Sequence, residues 1–472
     1  MISIHPSTKV KEILRDPVTG QPQHEASLDL KKAIFKQILE YGLPSMTGFV
    51  VGSLNELVDT FWLAKIGPEP VAAVTMFMSM FWTLMTANIL IGIGSVSIIA
   101  RRFGEKDIER TERAMKSAML LKLTLGTASG LLGFLILNPV LHLLGAAPDV
   151  HALAVDYAGV MLITSGVIAG AFSIFTFFRC IGQPRLSLWM QILAAGTNMI
   201  FDPLLIFGIG PFPEMGIFGA AVATAGSFTL ACIVGIFILQ RKQSPVQVRW
   251  FGKPFPQRTE MMHILRIGWP GGINVLSFSI AMNIAVKIVS VYGTEVVAIY
   301  GAAMKVLHFG FMSMVGFTLG TSALLGQFLG SKELLKAWMV GAQAIRIAAW
   351  IMLAFGAVIF AGASPIIKLF FDSPEMHDLG VALLRIMALC LPLSGIHIGA
   401  EIAFEGAGMN KPPMILSLIH GWLMVVPFMY ILGPMMGFGP HGVMWGWTLA
   451  HSFGGIAAIW LFQRGWWLKH EV

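Results

Sequence analysis

Residues 196–210 read Gly-Thr-Asn-Met-Ile-Phe-Asp-Pro-Leu-Leu-Ile-Phe-Gly-Ile-Gly. The stretch sets an aspartate, Asp202, with Asn198 one helical turn before it, in an otherwise apolar run. At a spacing of four, both side chains lie on one helix face. A carboxylate at membrane depth costs about 3 kcal/mol on insertion scales, so its presence points to function. Pro203 removes the next backbone donor and favours a kink where the polar face sits.

The surroundings say why membrane depth is the right frame. The chain has 472 residues, 56% hydrophobic and only 12% charged, with a mean hydropathy of +0.75. Soluble domains carry about 25% charged residues, so an integral membrane protein is the class that fits. The formal charge of +7 would suggest nucleic acid only if the basic residues clustered on a soluble face. They sit in short loops between apolar runs, so no nucleic-acid partner is expected. Cys180, Cys232 and Cys390 are scattered through apolar stretches without metal-ligand spacing and read as small core side chains. No metal is expected. Met1–Asp29 is polar, which speaks against a cleavable leader.

Outward from residues 196–210, twelve apolar segments are long enough to cross a bilayer as helices. They run approximately 37–63, 70–100, 115–140, 154–178, 186–209 and 216–240, then 262–290, 296–326, 338–361, 379–404, 413–435 and 441–463. Residues 1–36 form a polar lead into the first helix, expected to be a mobile cytosolic tail; a surface helix over Leu28–Leu39 is the alternative. Residues 37–240 and 262–472 then make two six-helix lobes joined by a cytosolic linker, 241–261, with Pro245, Pro254 and Pro256. Basic residues concentrate on the side that holds both ends of the chain, and only Lys65, Lys287, Lys305, Lys368 and Arg385 fall opposite. That bias places both termini in the cytosol.

The lobes are copies. A shift of 226 positions pairs Gly42-Leu43-Pro44 with Gly268-Trp269-Pro270, Gly67 with Gly293, Gly94 with Gly320, Gly104 and Lys106 with Gly330 and Lys332, and Gly182 with Gly408. Six spans per copy give both the same orientation, so the pseudo-twofold axis is expected along the membrane normal, with a transporter-like cleft. Glycines four apart, such as Gly126/Gly130 and Gly166/Gly170, are expected to let helices approach closely.

The acids break the symmetry. Glu56 and Asp59 share a face of the first helix, but the shift sets Met282 and Ala285 opposite them, Phe428 opposite Asp202 and Met424 opposite Asn198. An acidic site therefore exists in one lobe only. Carboxyl groups crowded in a dry cavity repel one another and are poorly solvated, which makes a neutral, protonated form accessible near pH 7. A proton-coupled carrier needs that property. The structural alternatives are Asp59 as a buried hydrogen-bonding anchor and Glu56 near the headgroups. In the second lobe Glu401 is either an ion or substrate contact or a satisfied structural acid. Lys287 and Lys305 are expected to snorkel, and His308, His397 and His420 read as isolated core hydrogen-bonders. The 29 methionines could line an adaptable pocket. Gly437-Phe-Gly439-Pro-His-Gly442 lies between two spans with no strand before it, so it is a turn rather than a nucleotide loop. No Walker A sequence and no nucleophile–base set is present, so an enzyme is not expected.

Several of these residues resemble the multidrug and toxic compound extrusion (MATE) transporters. They are Leu57-Val58-Asp59-Thr60, Gly67-Pro68-Glu69, Val71-Ala72-Ala73, Arg179-Cys-Ile-Gly182-Gln-Pro184, Asn198 to Ile206, and Gly216-Ile-Phe-Gly219-Ala220-Ala221 with Ala223-Thr224. Asn198, Asp202 and Asp59 together are similar to the DinF-like rather than the NorM branch. The resemblance implies twelve helices in two bundles and export of cationic or amphipathic compounds by ion antiport. It also implies a coupling network of Asp59, Asp202, Asn198 and Thr224, with Glu56 as an additional acid. Where some relatives have a tyrosine, this chain has Asn55, which with Glu401 is a candidate substrate contact. The seventh helix has no acid, so a sodium site of the NorM kind is not expected in the second lobe. The combined expectation is a monomeric multidrug exporter of the inner membrane, surrounded by lipid and driven by protons or sodium without a bound cofactor. A lipid-linked sugar flippase of the same superfamily is the alternative; a membrane-embedded enzyme or a passive channel would be the rivals from other classes.

Overall fold

The computed structural model describes residues 6–14, 27–371 and 373–471. Among them every regular element is a helix. A short α1 (Thr8–Ile13) precedes six long helices, α2 (Leu28–Ile66), α3 (Pro68–Gly104), α4 (Ile108–Leu143), α5 (Pro148–Cys180), α6 (Pro184–Ile206) and α7 (Gly216–Gln240). The second set comprises α8 (Arg258–Val289), α9 (Thr294–Gly330), α10 (Leu334–Lys368), α11 (Pro374–Ala388), α12 (Leu391–Ala407), α13 (Lys411–Leu418), α14 (Val426–Tyr430) and α15 (Gly439–Gln463). α11 and α12 are one span bent by 41°, where Pro392 supplies no amide. α13 and α14 belong to one helix broken by π-helical turns at Ile419–Val425 and Ile431–Met435. Counted this way the chain has the twelve expected spans, six in each set.

Eight of the described helices are long and apolar enough to cross a membrane, or nine if the bent pair is one span. The spans that fall short are α2, α6 and α15. The reason is visible in their side chains: Asn55, Glu56 and Asp59 interrupt α2, Gln191, Asn198 and Asp202 interrupt α6, and His441 and His451 interrupt α15. The helices least suited to lipid carry the polar groups.

Packing divides the chain into two compact units, Pro44–Gly272 and Met1–Leu43 with Ile273–Val472. Both divisions fall inside a helix, in α2 at Pro44 and in α8 two residues past Pro270, the proline the repeat pairs with Pro44. The backbone repeats as well: Lys106 and Lys332 each have φ 60°, and Gly182 and Gly408 have φ 80° and 71°. A left-handed lysine is uncommon, so finding it at both paired helix ends marks the same C-terminal cap used twice.

In the Pro44–Gly272 unit, α4 packs on α5 with Gly126 facing Gly166, where a Cβ on Gly126 would lie 2.8 Å from the Gly166 Cα. The small-residue spacing thus serves packing, as expected. Residues 241–257 strap across the end of α4. Val246 and Val248 are fully buried, and Lys116 Nζ donates to the carbonyls of Gly252 (2.8 Å) and Pro254 (3.0 Å) while pairing with Glu112 at 2.9 Å. The Arg249 amide donates to Glu112 Oε1 at 2.7 Å. Lys116 and Lys122, assigned by sequence to the basic cytosolic side, are both buried within α4.

In the other unit, residues 7–14 are docked rather than free. Val10 and Leu14 are buried, and Ser7 Oγ donates to the Gln463 carbonyl at 2.8 Å. Of the rest of the expected tail, residues 28–36 are the first turns of α2, and 1–5 and 15–26 lie outside the described residues.

Candidate functional site

The site lies in the Pro44–Gly272 unit, where α2, α5, α6 and α7 each contribute a polar side chain. On α6, Asp202 is fully buried and Asn198 is 1% exposed. The four-residue spacing brings Asn198 Nδ2 to 3.0 Å from Asp202 Oδ1. The same nitrogen lies 3.4 Å from Thr224 Oγ1 on α7. Gly219 makes that approach possible, since a Cβ there would stand 2.6 Å from the Leu205 carbonyl oxygen on α6. Thr224 gives its own hydrogen to the Ala220 carbonyl at 3.0 Å, so it accepts from Asn198. The buried Tyr157 of α5 lies beside it.

α2 closes the cluster. Asn55 Nδ2 donates to Asn198 Oδ1 at 2.6 Å and lies 3.3–3.4 Å from both oxygens of Asp59. Asp59 and Asp202 are each held by a carboxamide, and the two carboxamides meet at 2.6 Å, so the acids share one cluster; two carboxyl groups can bond to each other only when one carries a proton. Asp202 Oδ2 is buried and no N–H or O–H donor among the described residues reaches it. The Asp59 carboxyl, once protonated, is the partner on offer. Phe77, Phe81, Met161, Ile206 and Ile217 form one buried apolar cluster with Tyr157, while Asn55 and Asp59 on α2 are half-buried.

The arrangement can hold one proton between two acids, or none with the acids open to a cation. Asp59, Asp202, Asn198 and Thr224, named from the sequence, come together. Asn55 joins them as the bridge between the two helices. Glu56 is exposed and makes no side-chain bond within the cluster. Glu401 is in the other unit, 3.6 Å from His397. Lys287 and Lys305 are exposed. Tyr157 was missed; it is one of only five tyrosines, and a lone hydroxyl-bearing ring among spanning residues was the available signal.

Two homologous six-helix sets, one holding a buried acid–amide cluster and the other not, define a multi-pass membrane transporter rather than an enzyme. The MatE family profile matches residues 44–204 and 270–431, opening at the two prolines that the repeat pairs. The chain belongs to the MatE family. It is 25% identical over 454 residues to the probable multidrug resistance protein YoeA of Bacillus subtilis, covering 94% of this chain and 96% of that one. It is 23% identical to the multidrug export protein MepA of Staphylococcus haemolyticus, covering 91% and 94%. A solved structure described as the outward-facing conformation of a multidrug resistance MATE family transporter of the MOP superfamily superposes with a TM-score of 0.85 at 26% identity. That match covers 94% of this chain and 98% of the other.

Proposed function

We propose that this chain exports cationic or amphipathic small molecules by antiport with protons. The observation that carries the reading is the Asn55–Asn198 bridge that draws the Asp59 and Asp202 carboxyls into one cluster, where one proton would join them and its loss would leave two charges facing each other. Asp59 and Asp202 carry the proton, while Asn55, Asn198 and Thr224 hold them in register. With the proton present, the pair has a single negative charge and is tied together. Once it leaves, two carboxylates repel each other and attract a cation, so proton and cargo compete. Glu56 adds a peripheral negative charge. Sodium is the alternative coupling ion. The relatives named for multidrug resistance and export support the cargo class.

The chain is a multi-pass protein; the inner membrane, both termini in the cytosol and a monomer surrounded by lipid complete the proposal. The deciding assay is substrate-induced proton release in proteoliposomes. Release should be lost in the Asp59→Asn/Asp202→Asn double variant, and unchanged release with unchanged efflux would remove the proposal.

A further inference from the structure

The Ile273–Val472 part of the chain holds a second group of titratable side chains that the mechanism above does not use. Three helices contribute to it. His397, Glu401 and Glu405 succeed one another at four-residue spacing along one face of α12. His420 comes from the π-helical turn Ile419–Val425 and His451 from α15. His397 Nε2 stands 3.6 Å from Glu401 Oε1. The His397 and His420 rings have centroids 5.6 Å apart, and those of His420 and His451 are 4.6 Å apart. His451 Nδ1 is fixed on the Trp447 carbonyl at 3.0 Å. His420 Nε2 and Glu405 Oε2 are buried without a partner among the described residues.

Two features of the backbone exist to make this contact. A π-helical turn adds a residue to the helix and rotates His420 out of its α-helical register, a device found mostly at functional positions. Opposite it, α15 has Gly454, where a Cβ would stand 2.9 Å from His420 Cδ2 and 3.0 Å from His397 Nδ1. Any larger residue would push the two imidazoles apart. A small pocket between α12, α13 and α15, lined by His397, Glu401, Phe404 and Leu461, gives the group an outlet.

We infer that His397, Glu401 and His420 form a second proton-binding station, built from imidazoles and a carboxylate instead of the acids of the first unit. The proton enters on His397, which then forms an ion pair with Glu401, and the group's charge changes from minus one to zero. The His420 ring, packed between those of His397 and His451, bounds the station on the side away from Glu401. The other titratable groups facing it are Glu405 from α12 and His451 from α15; α13 begins at the exposed Lys411. Against the glycines of α12, α9 and α10 bring the Ser322 and Ala348 carbonyls, Met352 and Ile345, and α10 carries the charged Arg346 next to Ile345.

Proton uptake by the purified full chain between pH 8 and pH 5, measured by potentiometric difference titration, tests this without any transport. The background is Asp59→Asn/Asp202→Asn, so the result does not depend on the proposed antiport site. Adding His397→Asn should remove close to one bound proton per chain, and adding Glu401→Gln should move the uptake of that proton to lower pH; two variants are used so that misfolding of one leaves the other. Gly454→Ala, which keeps every titratable group, should redistribute the uptake along the pH axis without changing its total. Unchanged curves for folded Glu401→Gln and His397→Asn would overturn the station and leave the antiport reading untouched.

Discussion

The Asn55 amide nitrogen stands 2.6 Å from the Asn198 side-chain oxygen, and this contact ties α2 to α6 at the level of both acids. It also gives the cluster a direction. Asn198 accepts from Asn55, so its own amide hydrogens face Asp202 and Thr224. Both carboxamides therefore donate toward carboxylates, and no donor among the described residues remains for Asp202 Oδ2. The cluster is one proton short when both acids are ionised.

Asn198→Ala removes the amide that holds Asp202 and the oxygen that holds Asn55. A hydrogen bond to a charged group is worth about 1.5–3 kcal/mol, so efflux should fall by about tenfold or more. Initial efflux rates in proteoliposomes, at matched reconstitution, decide it; a rate within twofold of the parent would show that the amide orders nothing.

Tyr157→Phe keeps the ring that packs at 5.5 Å on Phe77 and deletes only the hydroxyl beside Thr224, which is within reach of a hydrogen bond on a small shift. The loss of a neutral hydrogen bond costs about 1 kcal/mol. Efflux should drop a few-fold with unchanged melting temperature. A collapse in stability would instead make Tyr157 a core residue and nothing more.

Glu56 and Asp59 are one turn apart on α2, yet only Asp59 is bonded into the cluster. Glu56→Gln should leave substrate-induced proton release above half of the parent value, whereas Asp59→Asn should abolish most of it. Equal losses in the two would make Glu56 a full member of the titrating set.

How much of this was legible beforehand follows the range of each signal. Twelve spans and the repeat are carried by composition over tens of residues, and Asn198 with Asp202 by spacing within one helix. Asn55 was visible as a departure from relatives, but its bridge to Asn198 crosses 143 positions, and no periodicity encodes that. His397 and His420 looked isolated, and His451 drew no notice, for the same reason: their helices meet in space, and the π-helical turn that holds His420 leaves no mark in hydropathy. Docking of residues 7–14 was hidden by their polarity, since Val10 and Leu14 alone provide the buried contacts.

The strap over α4 rests on an ion pair whose side chains are only 2% and 4% exposed. Lys116→Met leaves two carbonyls without their donor and the Glu112 carboxylate with only Arg249 as a partner, and breaking a buried pair costs about 3–5 kcal/mol. The Glu112→Gln/Lys116→Met double variant removes both charges and should be more stable than Lys116→Met alone. Melting of the detergent-purified proteins gives the cycle; additive losses would mean that the two side chains are not coupled.

If proton and cargo compete for Asp59 and Asp202, substrate affinity must carry the signature of linkage. Protonation removes a negative charge from the cluster, so a cationic substrate binds more weakly as pH falls and more tightly as it rises. When binding displaces one proton, Kd changes by about tenfold per pH unit across the range in which the pair titrates, and by more if two leave. The expected result is therefore a Kd that rises on going from pH 8 to pH 6 at constant sodium. In Asp59→Asn/Asp202→Asn the line should be flat, because no proton is left to displace. Repeating the series at constant pH with sodium varied separates the two ions: a Kd that follows sodium and ignores pH would transfer the coupling to sodium, and one that follows neither would leave Asp59 and Asp202 without a role in exchange.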